Sequence, residues 1–225
     1  MKEISRGPYY EKLENDFSAE KKVSRGTANR LSHIHEQYEL LLCLSDNMFC
    51  NIDKRRYRID RNTLLLFNNM DLHHFGACDP EAENNRYVVY FKPAYIDSLS
   101  TRSNSLLDCF LFRPFPHANL LPLTQEQSEN MQRLLDRILL LQGKSEEECY
   151  GKELYLHLLL AELMLDVNTI YRACHQISAG VSSESHHSAY QVINYIHEHY
   201  NDELSLDLLS HKFYVNKYYL CEIFR

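Results

Sequence analysis

No two cysteines in this chain stand in a C-x-x-C pair. The seven present, at 43, 50, 78, 109, 149, 174 and 221, are odd in number and widely scattered. That argues against a secreted disulfide framework or a structural zinc knuckle and fits reduced thiols in a cytoplasm. The opening MKEISRGPYY has no apolar h-region, so no secretory signal is expected. Long apolar runs are missing as well: the most apolar stretch, LYLHLLLAELML, is broken by His157 and Glu162 and falls short of a bilayer span. Positive charge is not in excess. Lys and Arg number 24 against 31 Asp and Glu, a formal charge of −7, which excludes a nucleic-acid coat held by bulk charge but leaves room for a local reading element. Glycine is scarce, and Asp46-Asn47, Asp53-Lys54, Asn62 and Asn68-Asn69 stand at the turns where glycine often serves.

What is there is enough for a core. The 225 residues suit one or two domains, with 44% hydrophobic and 24% charged side chains as in an ordinary soluble protein. Between about 38 and 92 the chain reads as short strands: YELLLCL, NMFCNI, RRYRID, NTLLLFN and RYVVYFK. RRYRID alternates, with Tyr57 and Ile59 on one side and Arg56, Arg58 and Asp60 on the other. Closely spaced strands and short turns predict an antiparallel sandwich or barrel. Its aromatics Tyr38, Phe49, Tyr57, Phe67 and Tyr90 read as core, with the lining of a pocket as the alternative.

From 124 the period changes to that of a helix. Met131, Leu134, Leu135, Ile138 and Leu139 share one face, and Thr124 is placed to cap it. A second helix is expected from 146 to 174, apolar nearly all round at 154–165, and so covered by more than one neighbour: the barrel and the first helix, or a second subunit. QISAGVSSESHHS at 176–188 reads as a linker. Beyond it, Ala189, Val192, Ile193, Ile196 and Tyr200 make one amphipathic face. Ser205 caps a short helix with Leu206, Leu209 and Phe213 inward. A turn at FYV and a cap at Asn216 lead into KYYLCEIFR, with Leu220, Ile223 and Phe224 inward and Tyr218, Cys221, Glu222 and Arg225 outward. Helix, short helix, turn, helix is the order of a helix-turn-helix, though a three-helix packing unit has the same pattern.

One constellation carries chemistry. In HIHEQYEL, an extended strand would turn His33, His35 and Glu39 to one face, two imidazoles and a carboxylate that could ligate a metal ion.

YQVINYIHEHYNDELSLDLLSHKFYVNKYYLCEIFR resembles the first helix-turn-helix of the AraC family of transcription regulators, and the stretch HIHEQYELLLCLSDNMFCNIDKRRYRIDRNTLLLFNNMDLHHF is similar to the family's cupin sensor domain. The resemblance implies an α+β chain with an N-terminal antiparallel cupin-like β-barrel. A helical dimerisation pair at 124–174 and a C-terminal three-helix segment would follow. Domain limits are then 1–175, a linker at 176–188, and 189–225. Asp46, Asn62 and Asn69 replace the family's usual Gly, Gly and Pro, and Asp and Asn tolerate the positive φ of the two glycine turns. The family has two helix-turn-helix units and this sequence ends at Arg225 after one, so it reads as a fragment that would not hold an operator with full affinity.

By the same resemblance, Tyr218, Cys221 and Glu222 would face base edges and Lys217 and Arg225 phosphates. In cupin enzymes an H-x-H-x3-E stretch and a later histidine converge on one metal. His33, His35 and Glu39 match, with His73 as the fourth member and His74 as the alternative register. No cofactor is fixed by sequence, but a divalent Zn, Ni, Fe or Mn would suit those donors. The same residues would otherwise line a pocket for a small-molecule effector. The expected protein is therefore a cytoplasmic, dimeric, effector-sensing DNA-binding regulator, not an enzyme and without a membrane partner. A metal-dependent cupin enzyme and a partner-binding cupin module without DNA contact are the alternatives.

Overall fold

Every residue of β4 (Tyr38–Cys43) is buried, because the strand is covered on both faces. The computed structural model describes residues 9–25, 31–79, 81–101, 104–111, 113, 119–177, 192–193, 195–196 and 199–223. In it β4 pairs antiparallel with β7 (Thr63–Phe67) and β9 (Glu83–Phe91). Strands β2 (Phe17–Arg25) and β10 (Leu120–Pro122) complete one sheet in the order β10-β7-β4-β9-β2. A second sheet runs β1-β3-β8-β5-β6. Its strands are β1 (Tyr9–Glu11), β3 (His33–His35), β5 (Met48–Ile52), β6 (Arg55–Ile59) and β8 (His73–Ala77). Only the β1–β3 pair is parallel among these.

Side-chain alternation assigns the two faces. Leu41 and Cys43 of β4, Leu65 and Phe67 of β7, and Val88 and Tyr90 of β9 meet Met48, Cys50, Ile52 and Ile59 of the other sheet in one apolar cluster. The intervening Leu40, Leu42, Leu64, Leu66, Tyr87, Val89 and Phe91 point the opposite way, into a larger core shared with the helices. YELLLCL therefore reads as a continuous apolar run rather than an alternating one. Against sheet two, by contrast, no helix packs among the described residues, and β6 shows the alternation expected of it, with Ile59 buried and Arg56 and Arg58 exposed.

The helices are α1 (Ala94–Asp97), α2 (Asp108–Leu111), α3 (Gln125–Gln142), α4 (Lys152–Cys174), α5 (Leu206–Lys212) and α6 (Lys217–Ile223). Thr124 accepts from the Gln127 amide while the Gln127 side chain reaches back to the Thr124 amide, a reciprocal capping box. The inward stripe of α3 ends at Leu141 rather than Leu139, which is half-buried. Helix α4 starts at 152, not 146. Ser145 and Glu148 satisfy each other's backbone amides and Gly151 takes φ 69°, so the intervening segment turns before the helix begins. Asn168 clamps α4 to the chain before α2, accepting from the Cys109 amide at 2.9 Å and donating to the Leu106 carbonyl at 2.8 Å.

By length and composition α4 could cross a membrane, yet Leu156, Leu159, Leu160, Leu163, Met164 and Val167 are buried in the core. Its other side is open: Leu154, Tyr155, Leu158 and Leu165 are each more than half exposed. The barrel and α3 thus cover one face of this helix only.

The C-terminal helices have their own small core of Val192, Leu209 and Leu220, with Tyr195, Ile196, Phe213 and Val215 against it. Ser205 caps α5, accepting from the Leu208 amide at 3.1 Å. Tyr214 takes φ 55° in the turn to α6. Two expected inward residues are outward: Leu206 is 49% and Tyr200 73% exposed, since so short a helix hides little more than Leu209 and residues 199–200 stand in a bend and turn. Ala189, Phe224, Arg225, most of the 176–188 linker and the side chains of Glu222 and Ile223 lie outside the described residues.

Asn62 takes the expected positive φ of 61°, but Asp46 does not. Its side chain instead accepts the Arg61 amide at 2.8 Å.

Candidate functional site

His33, His35 and Glu39 come together, though not along a single strand. β3 ends at His35, residues 36 and 37 bend, and β4 begins at Tyr38 in the opposite sheet. The crossover is pinned by buried Gln37, whose amide donates to the carbonyls of Leu13 and Asn15 at 3.0 and 3.2 Å. The two histidines therefore come from one sheet and Glu39 from the other. His73 stands directly opposite His33 in the β3–β8 pairing, and all four residues are buried. One ring nitrogen of each histidine lies within 4.8 Å of those of the other two.

The hydrogen bonds define the state of the rings. Nδ1 of His33, His35 and His73 faces the backbone carbonyl of Leu31, Gln37 and Asp71 at 3.3, 2.7 and 2.8 Å. A carbonyl only accepts, so each Nδ1 carries a proton. In a neutral ring that leaves a lone pair on Nε2, the inward atom. Yet Nε2 of His35 and of His73 sit 3.1 and 3.0 Å from the same carboxylate oxygen, Glu39 Oε2. Lone pairs facing a carboxylate repel, so this arrangement calls for positive charge at Nε2, supplied by a proton or by a metal ion. Imidazoles whose outer nitrogens are tied to carbonyls are the usual support of metal-binding histidines.

Electrostatics agree with that reading. Burial pushes the Glu39 carboxyl up, but the His35 and His73 hydrogen bonds and charges outweigh it and hold the group well below the usual carboxylate range. Burial likewise pulls His73 down, and the Glu39 bond and charge, with the Asp71 carbonyl, raise it above an ordinary histidine. His33 moves the other way, lowered by burial and by neighbouring His73 against the opposing pull of Glu11.

Beside the cluster lies a cavity of about 40 Å³, lined by His33, Glu39, Leu41, Met48, Tyr90 and Asn84 among others. That is room for a few water-sized groups. Asn84 Oδ1 is buried there without a hydrogen-bond partner, an acceptor awaiting a donor.

His74, the alternative register, is on the opposite face, where its Nδ1 meets the Asn51 side chain at 2.8 Å. Adjacent strand residues point apart, and here only His73 is inward. In α6, Tyr218 is 89% exposed and Cys221 is exposed, while Lys217 is ion-paired with Asp207.

Several neighbours of the cluster carried no sequence signal. Glu11 on β1 reaches His33 Nε2 at 3.1 Å, with Tyr9 stacked on the same ring. Both lie in a segment without periodicity. Asp71 supports His73 through its carbonyl, and its carboxylate is held by Arg113 at 2.6 Å. Phe67 stacks on His73 with ring centroids 4.2 Å apart, and Tyr90 meets His35 edge-on. These two aromatics are core residues and walls of the cluster at once.

Two sheets closed over a buried polar cluster, with helices covering one outer face, define a cupin-like sensor domain. Residues 26–164 match the model of the AraC-like ligand binding domain, and the chain belongs to that family. No curated protein matches the chain. Among solved structures it is similar to ToxT from Vibrio cholerae with an unsaturated fatty acid bound, at 10% identity over 94% of this chain and 74% of ToxT, TM-score 0.51. The AraC-like transcriptional activator CuxR is 10% identical over 84% of this chain and 60% of its own, TM-score 0.37. A cupin 2 conserved barrel domain protein from Salinispora arenicola is 16% identical over 36% and 68%, TM-score 0.32. The ToxT likeness is one of fold.

Proposed function

We propose that this chain is the sensor and part of the reading head of a one-component, cytoplasmic transcription regulator. Its barrel (1–175) senses a small effector, a linker (176–188) follows, and the helix-turn-helix at 189–225 reads DNA. The observation that carries the sensor reading is the buried cluster of His33, His35, His73 and Glu39, whose hydrogen bonding calls for a positive charge at its centre. The occupant that fits these donors is a divalent transition metal, alone or as the anchor of a small polar effector in the adjoining cavity. Such an ion would supply Lewis acidity to an effector's oxygen or nitrogen. The chain's own residues would orient the rings, exclude water and give up the imidazole protons. ToxT was solved with a fatty acid, but about 40 Å³ bordered by His33, Glu39 and Asn84 suits a smaller, more polar molecule.

The open face of α4, with exposed Leu154, Tyr155, Leu158 and Leu165 and with Leu140 exposed on α3, supports a homodimer through 124–174. Tyr218, Cys221 and Glu222 would meet base edges, with Lys217 and Arg225 on phosphates. Signalling would be a population shift: the effector binds one arrangement of the dimer or linker better than another.

The test is selection of duplexes from a randomised library by the full chain, with and without Zn²⁺. Enrichment of a motif, lost in a Tyr218→Ala/Cys221→Ala/Glu222→Ala variant and altered by Zn²⁺ only when Glu39 is present, is the expected result. Single Glu222→Ala should shift preference at one base position by about 1–3 kcal/mol. Failure of the full-length protein to enrich any motif would overturn the DNA-reading part.

A further inference from the structure

The reading segment is poor in the charge that DNA binding needs. Residues 189–225 hold three basic side chains, Lys212, Lys217 and Arg225, against five acidic ones. Lys217 is ion-paired with Asp207, and Lys212 lies over the Tyr195 ring at 4.2 Å. Sequence-independent affinity for a duplex comes mostly from cations that neutralise phosphates. If this unit reads DNA, phosphate contacts beyond those of Lys217 and Arg225 have to be sought outside it, and the chain's net charge of −7 narrows where.

One place reverses that charge. Lys54, Arg55, Arg56, Arg58 and Arg61 fall within eight residues on and beside the edge strand β6, all exposed, with Asp53 and Asp60 next to or among them. Arg58 pairs with Asp60 at 3.4 Å and Arg61 with Asp46 at 3.6 Å, both solvent-exposed pairs of the kind worth little. Register puts Arg56 opposite Asn51 and Arg58 opposite Phe49, so both arginines stand on the outer face, away from the histidine cluster. There the side chains are organised. A Cβ on Gly76 would come within 2.3 Å of the Phe49 ring, so only glycine lets Phe49 lie across the strand. The Arg56 guanidinium lies 4.0 Å over that ring. Its Nε donates to Asn51 Oδ1 at 3.1 Å, and the Asn51 amide is in turn held by His74. Phe49, Arg56, Arg58, Ala77 and Cys78 border an open groove of about 490 Å³. With Nε engaged and the plane fixed on an aromatic ring, the terminal nitrogens of Arg56 present the planar fork that suits a phosphate.

We propose that this outer face binds the phosphate backbone of duplex DNA and supplies sequence-independent affinity that the C-terminal helices lack. The proposal rests on the DNA-reading function above. Charged residues on an edge strand also discourage strand pairing. That role alone would require neither a glycine beneath Phe49 nor the Asn51–His74 brace behind Arg56.

The test is the salt dependence of binding of the full chain to a random-sequence duplex, followed by fluorescence anisotropy. Each lost phosphate contact lowers the slope of log K against log [salt] by about 0.9. Arg56→Gln/Arg58→Gln is expected to lower it by roughly 2, Arg56→Lys/Arg58→Lys to restore most of it, and a charge-matched control away from the hairpin and from 124–174, Lys12→Gln with Lys92→Gln, to leave it unchanged. Equal slopes in the wild type and the Gln pair overturn the proposal while leaving the DNA-reading function intact. A wild type with no salt-dependent binding overturns both. Competition by poly-glutamate with an unchanged DNA slope overturns it in favour of an acidic protein partner.

Discussion

The two sheets differ in what covers them, and the difference divides the labour. The sheet built on β4 is buried on both faces, between the other sheet and the helices, and apart from Glu39 its central strand is devoted to packing. The β1-β3-β8-β5-β6 sheet has one face toward the barrel interior and one without a helical cover among the described residues; His33, His35 and His73 stand on the first, Arg56 and Arg58 on the second. A rigid, doubly packed sheet holds one carboxylate in place. The singly packed sheet presents the residues proposed to meet ligands.

The sharpest way to break this contrast is to remove the one charged residue from the central strand of the packed sheet. Glu39→Ala leaves His35 and His73 buried without their anion and is expected to cost about 3–5 kcal/mol near pH 6, measured by urea denaturation. The pH dependence has a definite sign. Glu39 is held low, so its contribution is present above about pH 4.3 and is lost as pH falls through the folded value. His73 is held high, so its contribution is complete below about pH 6.5 and is lost as pH rises through the folded value. His33 is held low by burial and so works against acid stability. The difference between the metal-free wild type and Glu39→Ala, rather than the total, should therefore be largest between about pH 4.3 and 6.5.

Next in size, Leu135→Ala in the helix layer over the packed sheet should cost about 2–5 kcal/mol by the same measurement, whereas Arg58→Ala on the outer face of the other sheet should stay within about 0.5 kcal/mol. Zn²⁺ at 100 times its Kd should stabilise the wild type by about 2.7 kcal/mol, seen as a rise in Tm that a chelator reverses. A small effect on stability is also expected from Gly76→Ala. Phe49 is half-buried and its ring can swing outward, so the cost should be under about 1 kcal/mol while the salt slope of DNA binding falls, because Arg56 loses its support.

Much of this arrangement was legible in the sequence. YELLLCL and NTLLLFN were legible as strands, though not as strands buried on both faces, and the alternation of RRYRID put Arg56 and Arg58 on the side opposite Tyr57 and Ile59, as found. The H-x-H-x3-E spacing and His73 named the residues that meet, but for the wrong geometric reason: the chain leaves one sheet after His35 and enters the other before Glu39. A period of two cannot reveal a change of sheet, because 33, 35 and 39 keep the same parity across the bend. β2 escaped notice because FSAEKKVSR is polar on its exposed side and weakly apolar on the other. Glu11 and Asp71 act through position and backbone carbonyls, which leave no residue-type signature. In the C-terminal segment the stripe predicted more burial than two seven-residue helices provide.

The most direct test of the sensor site is calorimetric titration of the chain with Zn²⁺ at pH 6 in buffers of different ionisation enthalpy. The account predicts one ion per chain, release of about one proton or more as the metal replaces the charge at His35 and His73, and loss of binding in His33→Ala and Glu39→Ala. Absence of saturable binding, or binding unchanged by either substitution, would contradict it.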